Sequence, residues 1–399
     1  MRYRASWILP IAGEPIRDGW VSLNRGRIVA LGHGSEDGEQ QGAECRLGSV
    51  AILPGLVNAH THLELSHLRD RVPSSRQFVS WVRGVLDARR RSDDRDVARG
   101  VEAGIAESIR SGTALVGDIT NTLVTFDPLI RSDLGGVVFY ELIRFNAPDP
   151  VSVAEQARAR VRALPTTDRV RASLAAHAPY SVAPLLFRAI RQAIDPSWPC
   201  SVHLSESSDE VEFIRGGGGA WRAFLEEVGA WDPAWTPPGC SPVQSLDESG
   251  FLDDRTLAVH GVQMTSADLA RLVSRGTTLV ACPRSNGHTG AGAPPVAEFY
   301  AAGVRVAIGT DSLASTPDLS VFAELAAMRA LAPSVPAARL LDSATRQGAR
   351  ALGFDADYGT IEPGKLARLL AVSVPDGLAD VEEYLVSGVR PEQVRWLDA

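Results

Sequence analysis

The chain has 399 residues, 45% of them apolar, and a net charge of −8 at neutral pH. That length suits one large barrel or two to three ordinary domains, and an acidic balance without a basic stripe argues against nucleic acid and anionic membrane as partners. No apolar run reaches the roughly 18 residues of a membrane span and the N-terminus lacks a long apolar leader, so a cytoplasmic protein acting on a small molecule is expected.

Residues 1–53 read as short strands broken by turn signals, as in DGWVSLNRGRIVALGHG, with no helix between them. Residues 356–399 return to that character, as in YGTIEPGKLARLLAVSV. The two ends are therefore expected to pair as one small β-sandwich domain. Between them, over 54–355, β-rich runs recur near 50–62, 113–120, 136–145, 170–181, 200–206, 256–263, 277–286 and 304–312, mostly separated by amphipathic helical stretches. Eight apolar strands alternating with helices predict an α/β fold, a closed (β/α)8 TIM barrel, with an open doubly wound sheet as the alternative. A Gly/Pro/Trp-rich insertion near 215–250 follows the fifth strand, either as a lid over the barrel mouth or as a plain surface loop. The four cysteines are far apart and form no CxxC pair, so they read as reduced thiols.

The polar residues fall at strand ends. His60 and His62 end the first strand, His177 the fourth, His203 the fifth, His260 the sixth and Asp311 the eighth. The C-terminal ends of barrel strands converge on one face, where active sites are built. A lone histidine at a strand end is ordinarily a hydrogen-bonded structural residue. His60 and His62 are not alone: their i, i+2 spacing turns both rings to the same side of the strand. Imidazole suits zinc or iron, and an open catalytic site takes three or four protein ligands plus water. His203 and Asp311 complete such a set, so one divalent metal is expected, zinc with iron as the alternative. His33, His67 and His288 fall outside this pattern.

The motifs PGLVNAHTH, AAHAPYS, VHLSES, AVHG, CPRSN and GTDS, in this order, resemble the amidohydrolase superfamily, and more narrowly its mononuclear cytosine and nucleoside deaminase branch. The resemblance covers about residues 50–350 and the flanking β halves. It implies metal ligation by His60, His62, His203 and Asp311, with His260 orienting the attacking water and Glu206, in H-x-x-E, moving protons. Binuclear relatives bridge two metals with a carboxylated lysine on the fourth strand. Here the only lysine is Lys365, in the tail, so a mononuclear site is expected. The implied reaction is hydrolytic deamination: Glu206 protonates a ring nitrogen, Asp311 takes the proton of water, and ammonia leaves an amidine carbon. An exposed loop acid is the alternative reading of Glu206.

HTHLELS, CPRSN and a following Gly-rich loop are similar to aminodeoxyfutalosine deaminases of the alternative menaquinone route. Such a substrate carries adenine, ribose and a benzoate. Glu64, just beyond the histidine pair, is the expected acceptor for ribose hydroxyls and His177 the expected contact to purine or sugar, while the resemblance implies an arginine for the carboxylate. Arg144 and Arg284 are the candidates for that arginine, and either serves equally well as a structural ion-pair partner. Other members of the branch act on adenosine-like nucleosides, guanine or an N-formimino acid. A non-catalytic binding scaffold is the reading from a different class. A homodimer is compatible with all of these.

Overall fold

The computed structural model describes residues 1–34, 43–165 and 167–397. The N-terminal segment forms β1 (Arg2–Ile8), β2 (Ile16–Asn24), β3 (Arg27–His33), β4 (Glu44–Arg46) and β5 (Val50–Pro54). The next eight strands are β6 (Leu56–Thr61), β7 (Thr113–Thr120), β8 (Gly135–Leu142), β9 (Val170–Ala176), β10 (Cys200–Leu204), β11 (Thr256–His260), β12 (Thr278–Ala281) and β13 (Arg305–Ile308). The tail adds β14 (Leu369–Ser373) and β15 (Val394–Trp396).

Strands β6 to β13 pair in sequence order, each parallel to its neighbour. The ring closes where the Thr310 and Asp311 amides donate to the His60 carbonyl at 3.0 and 3.1 Å. A parallel bridge between Thr61 and Asp311 continues that seam. The fold is thus a closed (β/α)8 barrel, not an open sheet. Its strands are buried almost throughout, as continuous Val/Leu/Ala runs under helices require. Gly136 has φ +146°, and a Cβ there would lie 1.9 Å from the Val116 carbonyl oxygen, so only glycine lets β7 and β8 come together.

Both chain ends build the second sheet, in the order β15-β14-β5-β1-β2-β3. Strands β4 and β5 both lie parallel to β1, at Arg2–Arg4 and at Trp7–Ile8 respectively, so the sheet branches there. It encloses its own apolar cluster, including Ile8, Val21, Ile28, Ile52 and Leu369, and so forms the small β domain. Antiparallel pairing of β14 with β5 ties the tail to the N-terminal segment. The tail is not all β, however. Its helix Val381–Val386 buries Leu385 in the large apolar cluster shared with the barrel helices.

Two further segments depart from the sequence pattern. CPRSN was read as the end of a strand, yet the chain leaves β12 at Ala281 and starts a helix at Pro283–Thr289. Proline fits the first helical turn, where its missing N–H has no partner to lose. The 215–250 insertion is no plain loop either. It holds the end of the helix Ser208–Gly216, then the helices Gly219–Glu227 and Pro242–Glu248. Trp235 stacks on Phe213 at 4.7 Å and Trp221 on Tyr180 at 3.7 Å, anchoring the insertion to the barrel mouth. Among the described residues no helix is long and apolar enough to cross a membrane.

Candidate metal centre and active site

His60 is the penultimate residue of the entirely buried β6, is itself 0% exposed, and has neither ring nitrogen hydrogen-bonded. Buried polar atoms of this kind are exceptions that call for a partner. His62 follows just beyond β6. Its Nε2 lies 3.4 Å from Nε2 of His203 and 3.4 Å from Oδ1 of Asp311. Nε2 of His60 is 3.7 Å from the same carboxylate oxygen. Three imidazole nitrogens and one carboxylate oxygen thus face one point.

The protonation states suit ligation. Nδ1 of His203 donates to the His177 carbonyl at 3.0 Å, which leaves the Nε2 lone pair turned to the cluster. Burial, then the charge of His60, brings His62 down to about 3 and His177 to about 4. Burial likewise brings His260 to about 3. These rings are neutral at neutral pH, as metal ligands must be. The donor set fits one divalent metal. A second potential group, Glu141–His177–His203, shares His203 with the first, and the Nδ1 of that residue is already engaged.

Asp311 lies at the seam of the barrel. Its Oδ2 accepts from Ser285 Oγ at 2.5 Å and Ser315 Oγ at 3.3 Å, so the oxygen expected to be free for a proton is engaged by two hydroxyls. Burial raises this carboxyl, but the imidazoles of His60, His62 and His260 facing it outweigh burial and hold the group well below the usual carboxylate range. Ser205, His260 and Asp311 have φ of +54°, +79° and +60°, three non-glycine residues in left-handed backbone at the ends of barrel strands. Each such conformation costs on the order of 1–3 kcal/mol and persists where the surroundings enforce it, as at active sites.

Glu206 is 4% exposed, which excludes the surface-loop reading. Its Oε2 lies 3.5 Å from Nε2 of His260, and its Oε1 3.4 Å from Nδ2 of Asn286. The same Asn286 nitrogen is 3.0 Å from Nδ1 of His260. Burial, reinforced by the charges of Asp311 and Glu210, raises the Glu206 carboxyl well above its ordinary range. A buried carboxyl group therefore sits beside the candidate metal donors.

These groups floor a cavity of about 200 Å³. One wall is the helix Phe78–Arg90, whose Phe78, Trp81, Val82, Val85, Leu86 and Arg89 recur at i, i+3, i+4 spacing along the side facing the cavity. Trp221 and Phe224 of the insertion face it across the cavity, and Arg89, Asn121 and Glu141 supply a polar corner.

A family model, described as the amidohydrolase family, matches residues 51–390. The chain belongs to the amidohydrolase family. It is 34% identical to the aminodeoxyfutalosine deaminase of Deinococcus radiodurans over 82% of this chain and 79% of that one. It is 31% identical to the 5-methylthioadenosine/S-adenosylhomocysteine deaminase of Moorella thermoacetica, over 97% and 90%. Among solved structures, the aminofutalosine deaminase of Helicobacter pylori, in complex with methylthio-coformycin, superposes with a TM-score of 0.85 at 26% identity, covering 96% of this chain and 95% of that one. An adenosine deaminase from Xanthomonas campestris with bound zinc gives 0.80 at 28%, covering 98% and 90%. Within the amidohydrolase family, this chain is a hydrolytic deaminase that acts on C–N bonds.

The residues singled out from the sequence divide clearly. His60, His62, His203, Asp311, Glu206 and His260 come together, and His177 lines the cavity with its Nδ1 2.5 Å from Ser181 Oγ. Glu64 does not line it. Its carboxylate accepts from Thr120 Oγ1 (2.5 Å), the Asn121 and Thr122 amides (3.1 and 3.2 Å) and Thr122 Oγ1 (2.8 Å), and it also pairs with Arg89. Its Oε2 is fully engaged by that segment and its Oε1 is turned to Arg89. Neither arginine candidate reaches the cavity: Arg144 is exposed, and Arg284 is bonded to Asp318 at 2.8 Å with Glu324 at 3.6 Å. Arg89, Asn121, Glu141, Ser285 and Asn286 were missed. Arg89 was legible as the last member of a helical stripe, and Glu141 as the one acid in the apolar run GGVVFYEL.

Proposed function

We propose that the chain is a zinc-dependent deaminase of an adenine nucleoside bearing a 5′ extension, with a place in menaquinone biosynthesis. The observation that carries the reading is the buried Glu206–His260–Asn286 cluster beside a four-donor metal centre at the floor of a cavity with an apolar wall and roof. His60, His62, His203 and Asp311 would hold the metal, which when bound supplies the Lewis acidity that makes water nucleophilic at neutral pH.

The chain's own residues do the rest. Glu206, protonated by its burial, gives its proton to the purine nitrogen next to the amine-bearing carbon, making that carbon electrophilic. His260, held by Asn286, orients the attacking water. Water adds to the carbon; one of its protons returns to Glu206 and the other passes to the exocyclic nitrogen. The bond from that nitrogen to carbon then breaks, and ammonia leaves with a carbonyl formed in its place. The Phe78–Arg90 helix and Trp221 keep bulk water away and offer apolar surface to the 5′ group. Arg89, not Arg144 or Arg284, is the arginine placed to meet an acidic end of that group.

The test is ammonia release from adenosine, 5′-methylthioadenosine, S-adenosylhomocysteine and aminodeoxyfutalosine. The expected result is a higher kcat/KM for a 5′-extended nucleoside than for adenosine. If aminodeoxyfutalosine is preferred, Arg89→Met should lower its kcat/KM more than that of adenosine. A preference for plain adenosine would remove the extension from the reading. No turnover of any of the four would remove the nucleoside.

A further inference from the structure

Glu141 is the penultimate residue of β8, is 5% exposed, and lines the cavity beside His177 and His203. Its Oε2 accepts from Asn121 Nδ2 at 2.9 Å. Its Oε1 is buried and has no hydrogen-bond partner. The nearest ring nitrogen, Nδ1 of His203, is 3.6 Å away and already donates to the His177 carbonyl. A buried carboxylate oxygen left without a donor calls for an explanation.

The surroundings hold that oxygen in place. Asn121 Oδ1 accepts from Arg89 Nη1 at 3.1 Å, so the amide must turn its Nδ2 to Glu141. Arg89 is in turn held by Oε1 of Glu64, whose Oε2 accepts from Thr120, Asn121 and Thr122. Arg89 makes no hydrogen bond to Glu141, whose Oε1 is left for another donor. Burial raises this carboxyl to about 8, and with or without its proton the group keeps lone pairs that accept from an O–H group.

We infer that Glu141 accepts a hydrogen bond from a sugar hydroxyl of the substrate, in the place the sequence suggested for Glu64. The inference rests on the nucleoside reading above. Strand β8 stands two places round the barrel from β10, which carries the Glu206 turn. With neighbouring strands about 4.8 Å apart, the separation is about 10 Å, the scale on which a nucleoside separates its base from its sugar hydroxyls.

The experiment compares kcat/KM for adenosine, 2′-deoxyadenosine and 3′-deoxyadenosine in wild type, Glu141→Ala and Glu141→Gln, with the metal content of each protein measured. Wild type should lose about 2–10-fold on at least one deoxy substrate, the range of one uncharged hydrogen bond. Glu141→Ala should lose a similar factor on adenosine and little more on that deoxy substrate, because both changes remove the same bond. Glu141→Gln, which keeps an acceptor, should recover part of the discrimination. Equal losses on all three substrates would overturn the inference, and so would loss of metal from Glu141→Ala, which would make Glu141 a support for His203. A wild type inactive on every nucleoside tested would instead overturn the nucleoside reading itself.

Discussion

At Asp311 two hydroxyls decide which oxygen is left for a metal. Ser285 and Ser315 take Oδ2, so Oδ1 is turned to His60 and His62. Ser285→Ala removes the shorter of those bonds and lets the carboxylate rotate. Metal affinity should fall, toward the low end of the 10–100-fold range typical of groups that orient a ligand because Ser315 remains. Competition with a chelator measures it, and an unchanged affinity would show that barrel packing alone fixes Asp311. Glu206→Gln keeps the volume and removes the proton donor. The kcat should drop about 10²–10⁴-fold while the metal content stays that of wild type. A near-normal rate would move proton delivery to another group. The candidate donors were legible because the barrel gathers strand ends on one face, and His60, His62, His203 and Asp311 all stand at or just past such ends. The error at Glu64 has a local cause: its place two residues after His62 showed nearness to the centre, but not that the Thr120–Thr122 segment and Arg89 would engage its carboxylate.

The element that positions Glu206 is the turn between β10 and the helix Ser208–Gly216. Glu210, in the first turn of that helix, reaches back so that its carboxylate accepts from the Ser205 and Glu206 amides, both at 2.9 Å. Ser205 has left-handed backbone, and these two bonds help hold it there. Glu210→Ala would leave two buried donors unmatched, at about 1–3 kcal/mol for each. We expect a lower midpoint in thermal unfolding together with a fall in kcat, since Glu206 would lose its fixed distance to His260. A variant that loses stability but keeps the full kcat would show that Asn286 alone sets the Glu206 geometry. Strands were legible at this scale because each is one apolar run under helices. The helix at Pro283 was not, since VACPRSN continues the apolar run of β12 and only the Pro283 turn ends it. Ser285 and Asn286 owe their positions to that turn.

Across the whole molecule, closing the barrel packs acids from distant segments into its interior, and Glu324 shows the consequence. It belongs to the helix Val321–Leu331 and is 0% exposed, with Oε2 accepting from the Arg284 amide at 3.2 Å. It thereby joins that helix to the one beginning at Pro283. Its Oε1 has no hydrogen bond, and Arg284 Nε stands 3.6 Å off. Burial outweighs the charge of Arg284 and raises the carboxyl from the ordinary 4.5 to about 8. In the window between those values the folded chain holds a proton that the unfolded chain has released. Stability from this group is therefore complete below about pH 4.5, declines as pH rises, and is lost above about pH 8. Glu324→Gln resembles the protonated acid at every pH, so it should match wild type near pH 5 and be the more stable protein at pH 8. Denaturant midpoints of the two proteins across pH 5–8 measure the difference, which should widen in the variant's favour. If wild type instead gained on the variant as pH rose, Glu324 would be ionised in the fold, and its pairing with Arg284 would outweigh burial.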